Sequence, residues 1–124
     1  MGSVTRVLVL LSMVACLTSI AHAIAGEATY YTVHTTPSSC YGYEDRGNMI
    51  AAANSGLFAN KAACGRRYRI TCTGPRSCKG GSVDVTIVDL CPACAANGFD
   101  LSQEAFSAIA DLGVGRINID YTPI

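Results

Sequence analysis

From residue 83 to 88 the chain alternates: Val83, Val85 and Ile87 fall on one face, Asp84, Thr86 and Val88 on the other. This is the period-two signature of a strand with one buried side. Residues 68–72 repeat it as Tyr-Arg-Ile-Thr, and residues 116–121 put Ile117, Ile119 and Tyr121 on one face. Residues 28–34, rich in Thr, Tyr and Val, and residues 49–53 predict two further strands. Helical periodicity emerges only after Ser102, where Ala105, Phe106, Ile109 and Ala110 form one apolar stripe. Ser102 is the expected N-cap, Glu104 faces the positive end of the dipole, and Gly113 is the expected C-cap. Loops are expected at 35–39, 73–82 and 92–98, where Pro, Gly and Ser collect. Short strands at this spacing with one helix predict a small all-β domain of barrel type.

Composition adds a compartment. Arg6, an apolar run over 7–17 and Ala21-His22-Ala23 have the layout of a secretory signal peptide over residues 1–23, with the mature domain at 24–124. The apolar run is too short to span a bilayer, so no membrane insertion is expected. Of seven cysteines, Cys16 leaves with the leader. Cys40, Cys64, Cys72, Cys78, Cys91 and Cys94 remain, an even set that predicts disulfides in an oxidising compartment. The charges nearly balance, with nine basic and nine acidic residues in the full chain, so nucleic acid is not an expected partner. The one basic cluster, Arg66, Arg67 and Arg69 with Arg76 and Lys79 nearby, reads as a solvated strand face ahead of an anion-binding patch. The last expected strand runs almost to residue 124, so a single domain is expected, and no Asn-x-Ser/Thr sequon occurs.

Two carboxylates stand out. Asp89 ends the 83–88 strand, and Asp100 sits just before the helix, with a Cys-Pro-Ala-Cys turn between them. Glycosidic cleavage generally uses two acids. Equally, Asp89 can accept from turn amides and Asp100 can cap a loop, and spacing leaves both readings open. Asp84 and Asp120 lie on polar strand faces and read as solvated. The Cys91–Cys94 turn is not followed by a helix start, which disfavours a redox thiol, and a single histidine in the mature chain, His34, disfavours zinc. No cofactor or metal is expected. No G-x-S-x-G elbow frames a Ser-His-Asp triad. Tyr30 and Tyr31 are adjacent on a strand and so point to opposite faces, one to the core and one to a groove. Tyr41 and Tyr43 flank the first cysteine loop and are either exposed or packed.

Seven stretches then fall in one order: Ala28-Thr29-Tyr30-Tyr31, Cys40-Tyr41-Gly42-Tyr43, Leu57-Phe58 with Cys64-Gly65, Tyr68-Arg69-Ile70-Thr71-Cys72, Val85-Thr86-Ile87-Val88-Asp89, Phe99-Asp100-Leu101-Ser102, and Ala105-Phe106. In this order they resemble the expansin N-terminal domain, itself similar to family 45 endoglucanases and barwin. The single-domain form resembles the plant natriuretic peptides and citrus blight-associated proteins. The resemblance spans essentially the whole mature chain and implies a six-stranded double-psi β-barrel. It also implies the bridges Cys40–Cys64, Cys72–Cys78 and, with them, Cys91–Cys94. It places Tyr31, Asp89 and Asp100 in a glycan groove. Departures are specific: Gly98 stands where expansins have a His, Arg67 where they have a second Cys, and Thr32-Val33-His34-Thr35 lacks the hydrolases' carboxylate. The resemblance covers only the first domain of expansins, and their second, carbohydrate-binding domain is not expected here.

The resemblance therefore implies a secreted, apoplastic protein without hydrolase activity, and a monomer is expected. Its implied role is signalling in water and ion homeostasis and stress response, through a cell-surface receptor. The implied recognition region is 37–72, whose disulfide-closed loop carries Tyr41, Tyr43, Glu44, Asp45 and Arg46. The alternatives are a wall-polysaccharide binder or loosening protein using Tyr31, Asp89 and Asp100, and a weak glycan-cleaving enzyme with Asp100 as sole acid.

Overall fold

The computed structural model describes residues 22–32 and 36–124. The leader's apolar run with Cys16, and His34 with its neighbours Val33 and Thr35, lie outside the described residues. Six strands close into a barrel: β1 (Ile24–Tyr31), β2 (Ile50–Ala53), β3 (Arg67–Gly74), β4 (Ser82–Leu90), β5 (Gly98–Ser102) and β6 (Ile117–Pro123). Their order around the barrel is β1-β5-β2-β4-β3-β6. β1 runs parallel to β5, and β2 parallel to β4; the other four neighbouring pairs are antiparallel. Closure leaves no free sheet edge, which suits a small chain that cannot cover one.

The period-two patterns bury as expected. Val83, Val85 and Ile87 face inward, as do Tyr68 and Ile70 and, on β6, Ile117, Ile119 and Tyr121. Small and large side chains interleave. Ala28, Ala51 and Ala53 make room for Phe99, Tyr68 and Tyr121, whose rings meet at centroid distances of 5.0–5.7 Å. Tyr30 takes the core side of its pair: its ring lies 4.8 Å from Phe106, and its hydroxyl donates to the Leu112 carbonyl at 3.0 Å. The three bridges are Cys40–Cys64, Cys72–Cys78 and Cys91–Cys94, with Cα separations of 5.5, 5.5 and 5.4 Å.

Several boundaries differ from expectation. β1 begins at Ile24, four residues earlier than the pattern implied, because antiparallel pairing with β6 extends it from Ala28 back to Ile24. β5 was not expected as a strand. It has five residues and continues directly into the helix, so it shows too little alternation to be read locally. A second α-helix, α1 (Ser55–Phe58), joins the expected one; four residues carry no periodicity, and it is held by the Asn54 side chain accepting from the Leu57 N–H at 3.0 Å.

The expected helix is α2 (Gln103–Ile109), with Ser102 as N-cap accepting from the Ala105 N–H at 3.2 Å. It ends at Ala110, not Gly113. Ala110 turns extended to bridge Cys78, and flanking bonds from the Lys79 N–H to the Ile109 carbonyl (2.9 Å) and the Asp111 N–H to the Ser77 carbonyl (3.0 Å) tie the 73–82 loop to the helix end. Gly113 falls instead within a 3-10 turn, Leu112–Val114.

Candidate functional site

The outer faces of β1, β5, β2 and β4 carry one row of aligned residues. Thr29 pairs with Asp100, Asp100 with Ala52, and Ala52 with Asp89. The two acids are therefore two strand steps apart, about 9–10 Å along the sheet. Asp89 reaches this face because of a bulge. Straight alternation from Ile87 would turn Asp89 inward; instead the β2–β4 register slips between Ala51 and Ala52, with Ala51 opposite Ile87 and Ala52 opposite Asp89. Val88 is the extra residue. Leu90 then packs on the core in the inward place.

Tyr31 lies on the same face, two residues beyond Thr29. Its hydroxyl is pushed up well beyond the usual phenol range, first by burial and then by the charges of Asp100, Asp89 and Glu104. Those influences show that Tyr31, Asp89 and Asp100, singled out from the sequence, share one neighbourhood. Asp100 is half-buried on β5, and its Oδ1 accepts from the Thr29 hydroxyl at 3.0 Å. Burial raises its carboxyl above the usual value, and the Thr29 bond only partly opposes this. A raised carboxyl is suited to holding a proton against a sugar oxygen.

Asp89 is engaged differently. Its Oδ1 accepts from the Ser39 N–H at 3.0 Å and from the Leu90 N–H at 2.9 Å. The strand-end acid thus braces the start of the first cysteine loop. Beside Asp100 the strip opens into a cleft of about 180 Å³, walled by the Cys91–Cys94 turn and by the Arg116–Glu27 ion pair (3.0 Å). Gly98 closes this turn. A Cβ there would stand 2.6 Å from the Ala95 carbonyl oxygen, so the histidine that expansins carry at this place does not fit this turn as folded.

The loop over 38–47 is a compact structure rather than a tether. Ser38 and Gly42 form a bridge, and the Cys40 N–H donates to the Val88 carbonyl at 3.0 Å. The Arg46 guanidinium stacks 3.8 Å over the Tyr41 ring and pairs with Glu44 at 3.3 Å. Asp45 accepts from the Gly47 N–H at 2.8 Å. Tyr41 is thus half-buried, while Tyr43 is 81% exposed. Asp84, read from the sequence as solvated, is instead bound by both Nε and Nη2 of Arg69, at 2.9 and 3.1 Å, which holds its carboxyl below the usual range.

The sequence reading missed Thr29, Ser39 and the Glu27–Arg116 pair. Thr29 was within reach, since period two from Tyr31 puts both on one face. The other two depend on contacts between residues far apart in the chain. Among the described residues no group of His, Cys, Asp and Glu is placed to hold a metal ion, and no helix is long and apolar enough to cross a membrane.

Comparison with known proteins fits this geometry. Residues 50–121 match the lytic transglycolase family of double-psi β-barrels. An EG45-like domain containing protein of Citrus jambhiri is 48% identical over 98% of both chains. EG45-like domain containing protein 2 of Arabidopsis thaliana is 39% identical over 98% of this chain and 97% of its own. Among solved structures, the Clavibacter michiganensis expansin superposes with a TM-score of 0.71 at 29% identity, over 83% of this chain and 50% of its own. A mutant of that expansin, solved in complex with cellohexaose, gives 0.70 at 30% identity, over 83% of this chain and 50% of its own. A closed six-stranded barrel with three bridges, matched nearly end to end by these relatives, places the chain in the family of EG45-like domain proteins, expansin-related single double-psi barrels of the plant natriuretic peptide type.

Proposed function

We propose that this protein is a secreted, apoplastic signalling protein without hydrolase activity, acting in water and ion homeostasis and stress response through a cell-surface receptor. The loop over 38–47 is its recognition surface. The observation that carries this reading is the use of Asp89: a groove acid that a hydrolase would keep for chemistry instead holds the loop's Ser39 N–H. The loop is tied further by the Cys40–Cys64 bridge and the Tyr41–Arg46 stack, yet presents Tyr43 to solvent. A pre-ordered loop with an exposed aromatic loses little entropy on docking, which is how interface anchors gain affinity.

The test is a protoplast-swelling assay on purified mature protein. Tyr43→Ala with Arg46→Ala removes the exposed ring and the stacked guanidinium, and is expected to abolish swelling while Tm holds. Asp100→Ala, in the groove, is expected to leave swelling unchanged. Swelling lost with Asp100→Ala and kept with the loop variant overturns the reading.

The groove supports a second, compatible reading: retention on neutral wall glucan. It rests on Tyr31, Thr29, Asp100 and Asp89 sharing one outer face, and on the cellohexaose complex of the related expansin. Asp100→Ala is expected to weaken retention on insoluble β-glucan. Reducing ends should not accumulate, because a lone general acid supplies only about 10²–10⁴-fold. Sustained release of reducing ends, lost in Asp100→Asn, would show that the protein is an enzyme.

A further inference from the structure

The barrel has a second face opposite the strip, formed by β4, β3 and β6, with two arginines, unpaired among the described residues, at one end of it. Along β3 the outward residues are Arg67, Arg69, Thr71 and Thr73. Their cross-strand partners on β4 are Thr86, Asp84 and Ser82, and on β6 Thr122 and Asp120. Arg69 is committed to Asp84 through two bonds. Arg66 and Arg67 are exposed and make no ion pair among the described residues. Arg67 also acts electrostatically on Asp84, an acid already held by Arg69. Arg66 and Arg67 line an open cleft of about 440 Å³ together with Gly65, Tyr68, Pro123 and Ile124.

The backbone holds this pair rigidly. The Arg66 N–H donates to the Ala63 carbonyl at 2.9 Å, and the Arg66 carbonyl accepts from the Ile87 N–H at 2.9 Å. The Arg67 carbonyl accepts from the Ile124 N–H at 3.1 Å, and the Cys40–Cys64 bridge lies two residues upstream. Arg67 also occupies the place where the expansin pattern has a second cysteine, so the pair is a property of this chain rather than of that pattern.

We propose that this cleft is a second binding surface, specific for a carboxylate-bearing polysaccharide, a polyuronate. Two adjacent guanidiniums present planar donor forks, the geometry that carboxylates fill in a bidentate way. The Thr86 hydroxyl, opposite Arg67, and the Thr122 hydroxyl, opposite Arg69, offer hydrogen bonds to a sugar ring. The acidic strip on the far side, with Asp89, Asp100 and Glu104, repels the same polymer, so acidic and neutral chains sort to opposite faces. The proposal is independent of the role of the 38–47 loop.

The experiment is affinity electrophoresis of the disulfide-intact mature protein in gels holding de-esterified polygalacturonate, fully methyl-esterified polygalacturonate, a sulfated dextran or neutral β-glucan. Retardation by the de-esterified polymer is expected, weakening as salt rises, with none by the ester. Arg66→Gln with Arg67→Gln is expected to weaken retardation about tenfold and leave behaviour on β-glucan unchanged. Asp100→Ala is expected to leave polygalacturonate retardation intact. Three results overturn the proposal: equal retardation by the ester, equal or stronger retardation by the sulfated polymer, or an unchanged double variant. The ester comparison uses the wild-type chain alone, so it decides even if the variant folds poorly.

Discussion

The 38–47 loop and the strip on β1, β5, β2 and β4 use the same side chains, tyrosines and carboxylates, but are held by different forces. The strip stands on hydrogen-bonded strands whose other face is the core, with Phe99 and Leu101 fully buried on either side of Asp100. The loop has no core of its own. It rests on one disulfide, a surface cation–π stack and a few amide bonds, two of which land on β4 at Val88 and Asp89. Dependence therefore runs one way. Damage to the strip's foundation reaches the loop, whereas changes at the loop's tip need not reach the barrel.

The hardest test of that asymmetry is Phe99→Ala. Phe99 packs on Tyr68 and Tyr121, so the loss is expected to be about 3–5 kcal/mol in urea denaturation, with strip and loop order lost together. A loop that stays ordered after the strip has melted would break the comparison. Next comes the loop's own staple. Cys40→Ser with Cys64→Ser opens a closure of sequence separation 24, expected to lower stability by about 3.5 kcal/mol. The Cys91–Cys94 pair, with separation 3, is expected to contribute about 2 kcal/mol when removed in the same way. Equal losses would mean that native contacts, not chain closure, dominate.

A finer probe is Asp89→Ala. It removes one acceptor of the Ser39 N–H and is expected to lower stability by about 1 kcal/mol. Its signature is faster hydrogen exchange at the Ser39 amide, with the Asp100 side of the strip unchanged. If Asp100→Ala speeds Ser39 exchange equally, the two acids are not divided between bracing and groove.

The smallest effect is in pH. Burial holds the Asp100 carboxyl above its ordinary 3.8, so the folded chain keeps this proton more tightly than the unfolded chain does. The group's contribution to stability is complete below 3.8 and is lost as pH rises through the folded value. Asp100→Asn has no such loss. Its stability relative to the wild type should improve between about pH 3 and about pH 7 in parallel urea titrations. A difference that is flat, or that moves the other way, would place Asp100 in a better solvated setting than the strip provides.

Legibility in the sequence followed the length of each pattern. Three of the strands and the helix rest on alternation or a stripe long enough to read, β1 and β2 rest on composition, and Ser102 announces its own helix start through a local bond. β5 is short and runs straight into that helix, and α1 is a single turn, so neither has a period to find. Of the site, Tyr31, Asp89 and Asp100 were visible as residues, and the family resemblance placed them together. The division of labour between the acids was invisible, because Ser39 and Asp89 are fifty positions apart.

By itself, then, the sequence determined which side chains are apolar, where the chain turns, and where the N-cap of α2 lies, since these depend on neighbours within a few positions. Through resemblance it also carried the barrel and the bridge pairing. Only the tertiary structure decided which way Asp89 points. Local alternation sends it inward with Ile87; the register slip against β2 turns it outward, where it meets the loop. Tertiary contact likewise ended α2 at Ala110, where the chain bridges to Cys78. A bulge and a helix stop are each set by a distant strand or loop, and no local pattern encodes a partner tens of residues away.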